Sequence, residues 1–119
     1  MGELESLLPD DIKKRSTVLG NELAIPYVDT PAVIAIASEH QIAVLGFDCG
    51  ELIAEKFQVL SYSGYDREVS VDQAWKEYVS ATNALAEKWF KESTFCGSNC
   101  RYILTSTSEN EFLELRKTR

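Results

Sequence analysis

The sequence predicts an α+β domain: a mostly antiparallel sheet of about four or five strands, crossed by one long amphipathic helix near residues 71–92, with short helices elsewhere. Three observations predict it. Ile42 to Phe47 (IAVLGF) is a nearly unbroken apolar run with β-branched residues, which suits a strand buried on both faces. Lys56 to Val59 alternates polar and apolar, the period of a strand with one wet face. Ala74, Trp75, Tyr78, Val79, Thr82, Leu85, Ala86, Trp89 and Phe90 recur at steps of three and four, the stripe of a helix lying on a sheet.

At 119 residues the chain is one domain, 1–119, with enough length for a core without metal or disulfide support. Residues 1–8 read as a frayed or short helical lead-in, with Leu4, Leu7 and Leu8 at helical spacing. In Asp10 to Arg15 acids come first and bases last, which complements a helix dipole. Ser16 to Leu19 then runs extended into Gly20-Asn21, a hairpin signal. Glu22 to Tyr27 returns as a strand that Pro26 places at an edge or terminates. Thr30 is the expected N-cap of a helix through Glu39, with Pro31 in its first turn; the β-branched content there keeps a strand as the alternative.

Asp48, Cys49 and Gly50 look like turn formers, so a short loop is expected from Asp48 to Glu55 between two paired strands in the middle of the sheet. Gly46 inside the first strand marks a bulge or a close backbone approach. Ser70-Val71-Asp72-Gln73 has capping-box form at the start of the long helix. Arg101 to Thr105 reads as a further strand, and Ser108-Glu109-Asn110-Glu111 as a second capping box opening a last helix with Phe112 and Leu115 inward.

Charge narrows the function. With 19 acidic and 12 basic residues the net charge is −7, opposite to what phosphate binding requires, so nucleic acid is not the expected partner. An acidic face suits a basic protein partner. No apolar run is long enough for a membrane span, and the acidic N-terminus lacks signal-peptide form, which reads as cytoplasmic. Cys49, Cys96 and Cys100 fit that compartment as reduced structural thiols; a Cys96–Cys100 disulfide and a metal or redox role are the alternatives. His40 is the lone histidine, at a helix end, and supports neither a metal site nor a general-base pair. The sequence holds no phosphate loop, dinucleotide fingerprint or nucleophile elbow. The expected class is therefore a non-enzyme without cofactor or catalytic residues.

Recognition is expected at Asp48 and Glu51 on one loop and at Tyr65, Asp66 and Glu68 on another, where tyrosine supplies contact area beside negative charge. The order of landmarks carries a resemblance. G-N-E-L-A-I-P-Y-x-D (Gly20 to Asp29), I-A-V-L-G-F-D (Ile42 to Asp48), S-Y-S-G-Y-D (Ser61 to Asp66), W-x-x-Y-V from Trp75 and Y-I-L-T-S-T-S-E-N-E-F (Tyr102 to Phe112) follow in turn. The chain resembles a family of small immunity proteins of bacterial polymorphic toxin systems, from about Gly20 to Leu115. The resemblance implies a cytoplasmic protein that binds and neutralises a cognate toxin by stoichiometric occlusion, without catalytic residues of its own. A basic, nuclease-like toxin would match the acidic charge. The alternative is a sensor domain holding a small molecule or peptide between the long helix and the sheet; a small enzyme is a third class. The oligomeric state is open, with the Pro26 strand as a candidate pairing edge.

Overall fold

The computed structural model describes residues 2–54, 56–64, 74–92 and 100–117. In chain order these form α1 (Glu3–Ser6), α2 (Asp10–Arg15), β1 (Thr17–Leu19), β2 (Glu22–Pro26), a 3-10 turn (Tyr27–Asp29), α3 (Thr30–Glu39), β3 (Ala43–Ile53), β4 (Lys56–Gly64), α4 (Trp75–Glu92), β5 (Arg101–Thr107) and α5 (Glu109–Lys117). The five strands make one sheet in the order β1-β2-β5-β3-β4, antiparallel at every pairing. The α+β architecture with one long helix is as the pattern predicts.

The core lies between the sheet and the helices. Val44, Phe47, Cys49, Tyr102 and Leu104 come from the sheet, Val33, Ile34 and Ala37 from α3, and Ala86 and Phe90 from α4. Tyr102 is fully buried at its centre, with ring centroids 5.2 Å from Phe47 and 5.1 Å from Phe90. Leu4, Leu8 and Ile12 are buried in the same cluster, so of the two readings of the lead-in the helical one holds, and it is docked. A second cluster joins Ala43, Tyr78 and Val79 to Trp75 and Phe112, whose rings lie 5.4 Å apart.

Several expectations change. The segment from Asp48 to Ile53 is strand, not loop; β3 runs straight through it, and Ile53 pairs with Lys56. The β3–β4 pair is not the middle of the sheet, because β4 is an edge and β5 is central. Pro26 ends β2, as one reading had it, and β2 is flanked by β1 and β5, so the Pro26 strand offers no pairing edge; among the described strands the edges are β1 and β4. The N-cap of α3 is Asp29 rather than Thr30. Its carboxylate makes no cap bond; it accepts two hydrogen bonds from Arg15, at 2.9 and 2.8 Å, while the Thr30 hydroxyl donates to Pro26 O at 2.9 Å. The described part of the long helix begins at Trp75, and the Ser70 to Gln73 box lies outside the described residues.

The cysteines also depart from expectation. Cys49 is disulfide-bonded, so it is not a reduced thiol. Cys100 is free and buried, which rules out a Cys96–Cys100 bond; Cys96 itself lies outside the described residues.

Two sequence signals are met in detail. The register of β3 against β5 shifts between Val44 and Gly46, the irregularity that Gly46 foretold. At α5 the capping box is closed: Ser108 Oγ accepts from the Glu111 N–H at 3.3 Å, and Glu111 Oε1 accepts from the Ser108 N–H at 3.4 Å. Ser108→Ala is expected to lower stability by about 1 kcal/mol, read as a shifted urea midpoint with an unchanged slope.

Candidate functional site

Of the expected recognition residues, Asp48 and Glu51 are described and both are half-buried on β3. Tyr65, Asp66 and Glu68 lie outside the described residues. From Phe47 to Gly50, β3 stays in regular register with β5, pairing Phe47 with Leu104, Asp48 with Ile103, Cys49 with Tyr102 and Gly50 with Arg101. Successive side chains alternate faces, so Phe47, Cys49 and Glu51 share the core side and Asp48 points away from it. Asp48 and Glu51 are thus close along the chain but not on one face. Cys100 lies on the Glu51 side: burial pushes its thiol pKa up, and the Glu51 carboxylate adds to that.

What adjoins both carboxylates is the edge of the sheet. β4 pairs with β3 on one side and, among the described residues, with no strand on the other. Along this edge Val59 is 51% exposed, Leu60 49%, and Ile53, before the turn, 51%. The pairing slips between Cys49/Gly50, where Val59 and Ser61 oppose consecutive β3 residues and Leu60 is the extra residue of a bulge. Gly50 makes the slip possible, because a Cβ there would stand 2.1 Å from Gln58 O. Ala54, at the turn, has φ 52°, a left-handed conformation that costs a non-glycine residue about 1–2 kcal/mol.

Among the described residues the other non-glycine in that region is Gln41, with φ 56°. It closes α3 in a Schellman arrangement: the Ile42 N–H donates to Ala37 O at 2.8 Å and the Gln41 N–H to Ser38 O at 3.2 Å. The Trp75 indole N–H donates to Gln41 O at 2.8 Å. Two adjoining hollows of about 320 and 460 Å³ meet at Gln41 and Lys76, both of which line each of them. The smaller runs between α3 and α4 past Ser38, Val79 and Asn83; the larger reaches His40, Glu109 and Asn110.

This groove is not the pocket expected between the long helix and the sheet. That interface is filled by Val79, Thr82, Ala86 and Phe90, each buried. Among the described residues, the two hollows open beside α4, toward α3 and α5. No group of three metal-ligating side chains converges among the described residues, and no described helix is long and apolar enough to cross a membrane.

Sequence reasoning missed the β4 edge and the groove. The exposed Val59 and Leu60 were readable only as strand residues, since exposure at an edge depends on strand order. The groove is assembled from α1, α3, α4 and α5, which no local spacing brings together. Comparison with protein-family models, with curated proteins and with solved structures finds no match.

Proposed function

We propose that the chain is an immunity protein that binds and neutralises a cognate bacterial toxin by stoichiometric occlusion, with the β4 edge as the contact surface. The observation that carries this reading is the β4 edge, unpaired among the described residues, with Ile53, Val59 and Leu60 exposed along it. An unpaired edge bearing apolar side chains is a liability in a monomer and an asset where a partner strand covers it. Half-buried Asp48 and Glu51 supply the acidic surroundings of an apolar interface core. The net charge of −7 would speed encounter with a basic, nuclease-like toxin. Catalysis by this chain forms no part of the reading.

The test is direct. The chain is mixed with the toxin domain encoded beside its gene, and toxin activity is followed as the ratio rises. Activity should fall linearly and vanish at equimolar chain. Val59→Lys with Leu60→Lys, which leaves the core untouched, should weaken binding by at least about tenfold, or 1.4 kcal/mol. A toxin that stays active under excess chain defeats the reading, and a folded edge variant that neutralises as well as the wild type removes β4 from it.

Localisation belongs to the same proposal. A disulfide at Cys49 is kept in an oxidising compartment, whereas the resemblance implies the cytoplasm. Cell fractionation with thiol labelling distinguishes a cytoplasmic, reduced chain, facing a toxin that acts inside, from an oxidised chain facing one that acts outside.

A further inference from the structure

We propose that the groove at Gln41 and Lys76 binds a small zwitterion, a free amino acid or a molecule of that kind, independently of the β4 edge. The first support is backbone strain. The left-handed position after a helix C-cap is ordinarily glycine, and here it is Gln41 at φ 56°. The fold gains little from that side chain. Its amide donates to Ser38 O at 3.1 Å, an oxygen that already accepts the backbone N–H of the same residue. Strain retained without a structural return points to a role for the side chain, and Gln41 lines both hollows.

The second support is charge. Lys76 faces the same space as Glu3 and Glu109, yet among the described residues the only ion pairs are those of Arg15 with Asp11 and Asp29. Opposite charges that share a groove without meeting leave room for a ligand carrying both. A carboxylate would be held by the Lys76 ammonium and the Gln41 amide, and an ammonium group by Glu109 or Glu3. The ring of Trp75 supplies a wall, and the smaller hollow, with Val79 and Ala84, takes the ligand's side chain. The volumes suit a molecule of this size.

Trp75 reports on the site. In a Trp89→Phe background its emission is followed while the standard amino acids are added one at a time, with acetate and methylamine as the separated charges. At least one amino acid should give a saturable change below about 10 mM and raise Tm with concentration. Acetate and methylamine should each bind at least about tenfold more weakly. Lys76→Met should weaken binding by about tenfold or more while leaving the ligand-free Tm within a degree or two. Gln41→Gly should raise the ligand-free Tm by about 2–4 °C and still weaken binding. No saturable change with any amino acid overturns the proposal. Binding of acetate or methylamine as tight as that of the best amino acid, or unchanged binding by Lys76→Met, overturns it equally.

Discussion

Replacing Asn83 by alanine is expected to cost about 2–6 kcal/mol of folding stability, from two buried backbone groups left without partners at about 1–3 kcal/mol each. Asn83 is 3% exposed and uses its whole amide. Its Oδ1 accepts from the Val44 N–H at 2.7 Å and from the Thr82 hydroxyl at 3.1 Å. Its Nδ2 donates to Ile42 O at 3.0 Å and to Ser38 Oγ at 2.8 Å. Ile42 precedes β3 and Val44 lies in its opening residues, where the ladder with β4 does not reach among the described residues, so one side chain of α4 serves as their neighbour there. Asn83→Leu separates polarity from volume: it refills the space but satisfies neither group, so it should be as harmful as alanine. Asn83→Asp adds a pH signature. A buried carboxyl facing the Ile42 carbonyl has a raised pKa and binds more protons folded than unfolded, so the variant loses stability as pH rises above about 3.9. Urea melts of the three variants decide the matter. If alanine and leucine each cost under about 1 kcal/mol, comparable to one ordinary hydrogen bond, the bracket is not what holds β3 to α4.

The sequence-level pattern reached the elements because burial leaves a period, and it stopped where geometry depends on what lies alongside. The stripe from Trp75 to Phe90 and the run from Ile42 to Phe47 are such periods. The turn between β3 and β4 was not legible. Asp48-Cys49-Gly50 has turn composition, whereas Ala54, which follows the last residue of β3, has none. Gly50 looked like a turn glycine, but it is the point where the Gln58 carbonyl presses on β3, and nothing local records that approach. Likewise Asp29 read as an ordinary residue before a capping threonine, because its partner Arg15 is fourteen residues away. Of the candidate surfaces, Asp48 and Glu51 were legible as acidic residues, but not as occupants of opposite faces. That follows from β3 being a strand, and the same fact is why the proposed contact surface is an edge and not a loop.

Gly50→Ala is the substitution expected to tell the edge from the rest of the domain. The new Cβ would lie 2.1 Å from Gln58 O, 2.9 Å from Gln58 C and 2.9 Å from Phe57 Cζ. Two of these are backbone atoms, so no rotamer change relieves the contact, and the cost of keeping β4 in register exceeds the about 1–3 kcal/mol usual for overpacking. Two relaxations are available. Moving β3 would disturb its ladder with β5 and the buried ring of Phe47 against Tyr102. Moving β4 disturbs one ladder only, because β4 is an edge with Val59 and Leu60 already in solvent. The second is the cheaper, so β4 should detach while the core survives. Hydrogen exchange should then show lost protection from Lys56 to Ser61, with β5 and α4 retaining theirs. Under the proposed function the same variant stays folded and fails to neutralise the toxin, which Asn83→Ala cannot show because it weakens the whole domain. Intact protection along β4 would mean that the backbone yields at Gln58. Lost protection with neutralisation unimpaired would mean that the toxin docks elsewhere.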